Sequence, residues 1–343
     1  MIRRELTNSM TTMLVVAAIA AGMFIGTVSD RASVHLEGWI NTTVLALIIL
    51  LVIDIRIVEI PRVPGVKTWL AIVLATNFLA IPLIGFTIAS LGFPDNAAVA
   101  TGLAIYFMAP CTDWFLGFTR LARGNVALGA ALLPINLAIQ LVLAPIYLAL
   151  FADWRGDLDL ALGQTLFDWF LTPFVIALLL RLVLPKIVPG GRGANVPSRI
   201  ASLSPLVLAL LVTEIFAANV AVMTDHRALF ARVLALVFVF FVLTYVLGEY
   251  IARRARFAYP EHALFTMTTA ARNAPLMLGL TAGIAPDEPL LSAAIVAGML
   301  IEFPHLTLLK HLLLRQYREM TPPGSAEPAP ANAAAIEPQG ARA

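Results

Sequence analysis

Sulfur chemistry has a single seat in this chain, Cys111, so no internal disulfide can form and cysteine usage leaves the redox compartment open. Charge is nearly as scarce. Only 13% of the 343 residues are charged, and a formal net charge of +2 offers no basic surface for nucleic acid. The five histidines form no H-E-x-x-H, and neither a Walker nor a Rossmann glycine pattern occurs. ATP-driven work by this chain alone is therefore not expected, and no cofactor or ATPase subunit is called for. What is present is apolar. Hydrophobic residues make up 60% of the chain and mean hydropathy is +0.88, a composition that fits a polytopic membrane protein and no soluble class.

Ten stretches approach the roughly 20 apolar residues that a bilayer requires. They run Thr11–Val28, Trp39–Ile57, Thr68–Leu91, Ala97–Phe118, Val126–Phe151, Thr165–Leu184, Leu203–Met223, Leu229–Tyr250, His262–Ile284 and Pro289–Leu314. The first follows Arg3-Arg4 and could imitate a signal peptide, but its apolar run is too long for one, so it reads as a membrane helix. Beyond Thr321 the Pro-Pro-Gly-Ser and Ala/Pro run reads as a disordered tail.

Basic residues orient the spans. Of the 23 lysines and arginines, 17 fall at the N-terminus, in loops after even-numbered spans or at the end of the tenth, against four after odd-numbered spans. That bias puts both termini in the cytoplasm and the chain in the cytoplasmic membrane as a multi-pass protein. Five spans per half then give two halves of opposite orientation, the inverted-repeat plan of many secondary transporters. The expected division is 1–151 and 165–320 as five-helix repeats, 152–164 as an extracytoplasmic linker and 321–343 as a cytoplasmic tail. A faint echo at an offset of 162 accompanies this: Leu116-Gly117-Phe118-Thr119 matches Leu278-Gly279-Leu280-Thr281, and Gln140 falls opposite Glu302.

The fourth span is interrupted by Ala109-Pro110-Cys111-Thr112-Asp113-Trp114. Proline removes a helix hydrogen bond, and an aspartate at membrane depth costs about 2.5–3.5 kcal/mol on insertion scales. A broken helix bearing a thiol, a hydroxyl and a carboxylate reads as a binding site for a small inorganic or organic solute. The alternative is a proline kink whose polar groups only tie helices together. At the same offset, the ninth span carries Arg272-Asn273-Ala274-Pro275. Asp113 and Arg272 are expected to pair across the two breaks, as a structural or a gating contact, because an unpaired charge there would be costly. Glu302, an acid in an apolar helix just before Pro304, is the leading candidate proton carrier, with Asp113 the second coupling candidate. Asn77, Asn136, Gln140, Glu214 and Asn219 are further polar groups within spans, which interhelical hydrogen bonds would explain; Asn136 and Gln140 share a helix face. Glu302-x-x-His305 has the spacing of a metal half-site but lacks the second copy such a site needs.

Three stretches resemble a known family. Ala109-Pro110-Cys111-Thr112 followed by Leu121-Ala122-Arg123-Gly124-Asn125, Thr269-Ala270-Ala271-Arg272-Asn273, and Leu300-Ile301-Glu302-Phe303-Pro304 resemble the helix-four, helix-nine and helix-ten motifs of the arsenical-resistance family of arsenite efflux permeases. That family belongs to the bile acid:sodium symporter superfamily. The resemblance implies an all-α fold of ten membrane helices whose broken helices four and nine cross. It also implies that Cys111 and Glu302 match the cysteine and glutamate needed for arsenite export. A soft sulfur suits a thiophilic arsenic centre, so Cys111 would be the arsenic ligand toward a transported substrate. Thr112, Asp113, Trp114, Arg272 and Asn273 would surround it.

Departures from the family pattern leave other solutes open. Asp113-Trp114 stands where small or apolar residues follow the Cys-Thr pair, and Arg272 replaces a small polar residue. Sodium-coupled uptake of an organic anion is the first rival. By resemblance, the sodium-ligand positions of the wider superfamily fall on Phe115, Leu116, Thr268 and Arg272, and a guanidinium there argues for proton or potential coupling instead. A membrane-embedded enzyme, a sensor and a channel are the remaining alternatives. Nothing in the sequence sets the oligomeric state.

Overall fold

The computed structural model describes residues 2–53, 64–111, 115–151, 172–187, 200, 203–274, 276–278, 281 and 288–320. The linker 152–164, the tail 321–343, Thr112, Asp113, Trp114 and Pro275 lie outside the described residues. Apart from one short polar helix, apolar runs without a periodic polar stripe form the helices. These are α1 (Ile2–Val28), α2 (Asp30–Glu37), α3 (Ile40–Ile53), α4 (Val66–Gly92), α5 (Ala97–Met108), α6 (Phe115–Leu121) and α7 (Val126–Phe151). There follow α8 (Thr172–Ile187), α9 (Ser204–Asp225), α10 (Arg227–Arg254), α11 (Tyr259–Ala270) and α12 (Pro289–Met320). Each of the ten apolar stretches overlaps a helix. Among the described residues, α4, α9, α10 and α12 are long and apolar enough to cross a membrane, and no named strand occurs. Exposed apolar side chains such as Leu79 and Leu83 on α4 and Phe238, Leu243 and Val246 on α10 suit lipid contact.

α2 is an additional element. Ser29 caps it by accepting the Ala32 N–H at 3.3 Å, and Asp30 sits in its first turn, where the helix dipole favours an acid.

Two sets of contacts organise the helices. In the first, α1 lies along α9 through Gly22 and Gly26, four residues apart. A methyl group at Gly22 would stand 2.5 Å from the Thr213 carbonyl, and one at Gly26 would collide with the Ala217 carbonyl. Small residues at this spacing let two backbones approach, which is how membrane helices gain packing without a hydrophobic driving force. Ser33 Oγ donates to the Ala217 carbonyl at 2.6 Å, and Thr43 on α3 donates to Glu214 Oε1 on α9 at 3.0 Å. Asn219 departs from the expected interhelical role: its Nδ2 donates to Ile215 in its own helix at 2.8 Å.

The second set surrounds the two interrupted spans. α5 approaches α12 closely at Gly102, which faces the Leu291 carbonyl, and at Gly298, where an added methyl would stand 2.5 Å from the Tyr106 ring. α4 opens into a π turn over Thr76–Ala80, bringing Asn77 fully inside. Such turns insert one extra residue into the helix and recur at functional positions.

The offset of 162 noted in the sequence recurs in the elements. Adding it to the bounds of α5, 97–108, gives 259–270, the bounds of α11. Added to Val66–Gly92 it gives 228–254, against Arg227–Arg254 for α10.

Candidate functional site

Both interrupted spans stop at the same place. α5 ends at Met108 because the ring of Pro110 disfavours a helical Ala109, which is extended at φ −102°, ψ 110°. α11 ends at Ala270, and Ala271 is likewise extended at φ −77°, ψ 138°. The freed backbone groups then bond each other. The Cys111 N–H donates to the Ala271 carbonyl and the Asn273 N–H to the Ala109 carbonyl, both at 3.0 Å, with Pro110 facing Arg272 in an antiparallel bridge. Pro110 and Arg272 are 162 residues apart, and the same offset exchanges the two hydrogen bonds. Mutual satisfaction is what makes irregular backbone tolerable at membrane depth.

Arg272, wholly buried, occupies this crossing. Its guanidinium donates through one terminal nitrogen to the Phe107 carbonyl at 3.1 Å. The other donates to the carbonyls of Thr269 at 2.6 Å and Thr268 at 3.4 Å. Those acceptors lie in the last turns of α5 and α11, where helix carbonyls lack intrahelical donors and the dipole is negative. A fixed positive charge therefore compensates two helix ends at once.

Glu302 closes the cluster from α12. Its Oε1 accepts the backbone N–H of Arg272 at 2.9 Å and its Oε2 accepts the Tyr106 hydroxyl at 2.8 Å. Gly298, one turn earlier, provides the space that lets the Tyr106 ring reach it. Cys111 is buried beside the bridge, within electrostatic range of Tyr106 and Arg272. Cys111, Arg272, Asn273 and Glu302 are thus brought together, as is Pro110. The predicted Asp113–Arg272 pair involves a residue outside the described set.

Asn77 and Asn136 also converge. Their amides donate to Thr268 Oγ1 at 3.3 and 3.5 Å, joining α4, α7 and α11 one turn before the break. Gln140 is buried one turn further along α7. Its two amide atoms, with Oδ1 of Asn77 and of Asn136, have no hydrogen-bond partner among the described residues. Buried polar atoms left this way call for an explanation, and a polar solute or water alongside the crossing would supply it. Asn273 Oδ1 accepts from the Leu276 N–H at 3.4 Å, starting the chain into its next helical residues.

Sequence reasoning missed Tyr106 and the shared role of Thr268. His305, read from the sequence only as half of a metal spacing, is buried with its ring stacked on Phe241 at 4.5 Å and its Nε2 without a partner among the described residues. No local signal marks them. A tyrosine, a threonine and a histidine in apolar helices are ordinary, and Tyr106 meets Glu302 across 196 residues of sequence.

The motif Leu121-Ala122-Arg123-Gly124-Asn125 is a joint. Asn125 Oδ1 accepts the Leu128 N–H at 3.0 Å, capping α7, while its Nδ2 donates to Glu261 at 2.8 Å and its N–H to the Pro260 carbonyl at 2.9 Å. A methyl at Gly124 would stand 2.6 Å from Thr119 Cγ2 and 3.1 Å from the Leu264 nitrogen, so the turn after α6 packs closely on α11 at this glycine. The Tyr259 hydroxyl lies 2.7 and 2.9 Å from the Ala122 and Leu313 carbonyls and shares its one proton between them. Nearby, Glu249 on α10 binds His262 at 2.7 Å and Gln316 at 3.1 Å, tying α10, α11 and α12. Among the described residues, no group of three or more His, Cys, Asp or Glu is placed to hold a metal ion.

Comparison with known proteins agrees with this architecture. The sequence profile of the Sodium Bile acid symporter family matches residues 42–226, which run from α3 through the first break to the loop after α9. A search of curated proteins finds no significant match. Members of that family are membrane transporters. With more than half of its length matched, the chain belongs to the sodium bile acid symporter family.

Proposed function

We propose that this protein is a secondary transporter that exports arsenite, with antimonite as a second solute, across the cytoplasmic membrane, and that it works without sodium. Ten spans form two five-helix halves of opposite orientation, 1–151 and 165–320, with 152–164 outside and both termini in the cytoplasm. The repeated offset of 162 in the elements and in the crossing supports that plan. The observation that carries the coupling is the Arg272 guanidinium held against the ends of α5 and α11 beside Glu302. A positive charge fixed there disfavours a mobile cation by repulsion, leaving protons on Glu302 or the membrane potential as the drive.

The buried thiol of Cys111 supports the solute. Uncharged arsenite would exchange one As–OH bond for an As–S bond, the thiol proton leaving with the hydroxyl as water, and the reverse step would release it. Thr112, Asp113, Trp114 and Asn273 would line the solute. Asp113 would pair with Arg272, whose Nε bears no other bond among the described residues. The orphan polar atoms of Asn77, Asn136 and Gln140 fit a hydroxyl-rich solute nearby.

Family membership favours a second reading, coupled uptake of a small organic anion, with Arg272 attracting the anion. Flux in membrane vesicles, measured with and without sodium, separates the two. Saturable arsenite uptake that Cys111→Ala abolishes supports export; sodium-dependent organic-anion flux, unaffected by arsenite, supports the alternative.

A further inference from the structure

A column of polar side chains leads away from the crossing, between α10, α11 and α12, toward the helix ends that the basic residues assign to the cytoplasm. On α12, Glu302, His305, Leu309 and Gln316 follow at intervals of three, four and seven residues, so they share one face. On α11, Thr266 lies one turn from His262. His305 is buried against the Phe241 ring, and its Nε2 has no partner among the described residues. The same holds for the buried Thr266 hydroxyl and for Oε1 of Gln316. Gly248 of α10 presents no side chain to this turn of α11; a methyl there would stand 3.7 Å from Thr269 Oγ1 and 3.8 Å from the Phe265 ring. At the far end, Glu249 Oε1 meets His262 at 2.7 Å, and Oε2 accepts from Gln316 at 3.1 Å. Arg253, with its side chain 75% exposed, reaches that second oxygen at 3.3 Å. The column thus runs from a wholly buried acid to water.

We infer that His305, Thr266 and the His262–Glu249 pair carry the proton of Glu302 to the cytoplasm, with His305 as its first acceptor. The inference rests on the proton-coupled form of the proposed function and extends it. At a rise of 1.5 Å per residue, His305 stands about 4.5 Å along α12 from Glu302. Thr266 stands about 6 Å, and His262 about 12 Å, from the end of α11 at Ala270. Steps of 4.5–6 Å are too long for one hydrogen bond and match about two in series through a bridging water. The Glu302 O–H gives its proton across such a water to Nε2 of His305, leaving a carboxylate and an imidazolium. The imidazolium then releases a ring proton toward Thr266, whose hydroxyl accepts one proton as it gives up another. Neutral His305 is restored, and the proton reaches the His262–Glu249 pair and leaves to water beside Arg253. Histidine suits the first step because its charge changes more readily near neutrality than that of any other side chain. The other titratable or charged groups bordering the column are Tyr106 of α5, Tyr245 and Arg253 of α10, and Arg272 beyond α11. Arg272 opposes a lasting positive charge on His305, which favours passing the proton on.

The test uses the purified full chain in sodium-free proteoliposomes loaded with a pH-sensitive dye, and compares two modes of arsenite movement. Net flux down an arsenite gradient must return protons through the carrier, whereas exchange of labelled for unlabelled arsenite at equal concentrations moves none. Wild type is expected to perform both. His305→Gln keeps a polar tip but cannot carry a charge. Its net flux and coupled proton movement should fall at least tenfold, with exchange kept within about twofold. Thr266→Val should show the same split and Thr266→Ser should restore net flux. His262→Gln carries the same expectation and serves if His305→Gln does not fold. A folded His305→Gln or His262→Gln protein that moves protons at the wild-type rate overturns the inference. So does an equal loss of exchange and net flux, which marks a structural role. Wild type that moves no protons with arsenite removes the proton-coupled reading and this path with it. Coupled wild-type flux with unaffected variants overturns the path alone.

Discussion

At Glu302 both carboxylate oxygens are engaged, one by the Arg272 N–H and one by the Tyr106 hydroxyl. Each oxygen keeps a second lone pair, so a proton can add beside these bonds, and one of them must break or reverse only where the proton lies along it. The phenol can reverse its role, because a hydroxyl both donates and accepts, whereas a backbone N–H only donates. Protonation of Glu302 would therefore be read first at Tyr106. Tyr106→Phe should lower stability by about 1–3 kcal/mol, as expected when a buried acceptor loses its donor, and thermal unfolding would register it. Glu302→Gln should make flux insensitive to an imposed proton gradient; flux that still follows the gradient would remove Glu302 as the carrier. The residue scale is also where the sequence was least informative. Arg272 was visible as an intramembrane charge and was assigned a carboxylate partner, Asp113. The structure adds the backbone carbonyls of α5 and α11, and no reading of side chains alone finds acceptors that every residue carries.

Among the elements, close approach at glycine does much of the positioning. Gly298 lies under the Tyr106 ring, and Gly298→Ala would place a methyl 2.5 Å from it. The overpacking should cost about 1–3 kcal/mol and push the hydroxyl off Glu302. Unfolding of Gly298→Ala in the Tyr106→Phe background tests that link: if the methyl acts through the lost hydrogen bond, the double variant is less destabilised than the two singles added. Helix existence was legible because long apolar runs leave few alternatives, and the first break was legible because Pro110 forces it. The second break has no proline at its bridge residue. It was anticipated from Pro275, from the offset to the first break and from the resemblance, while the bridge itself was not, since Ala271, Arg272 and Asn273 are each compatible with a helix. The short α2 was overlooked although Ser29-Asp30 marks its start, because eight mostly polar residues do not register in a search for membrane spans.

The whole molecule brings α5 and α11 into one crossing, with α12 supplying the acid and α1 packed along α9, which itself packs against α12. The proposed opposite orientation of the halves predicts where new cysteines can be labelled. In a Cys111→Ala background, a cysteine at Asp157 should react with an impermeant thiol reagent from outside intact cells, and one at Ser325 only after the membrane is opened. Equal labelling of both from outside would refute the topology. The central claim is that a sodium-free carrier works through Cys111 at this crossing. Arsenite flux in everted vesicles with sodium absent, wild type against Cys111→Ala, tests it most directly. The account predicts saturable uptake by the wild type and none by the variant with the folded protein present in equal amount. Arsenite uptake that needs sodium, or that survives loss of the thiol, would contradict it.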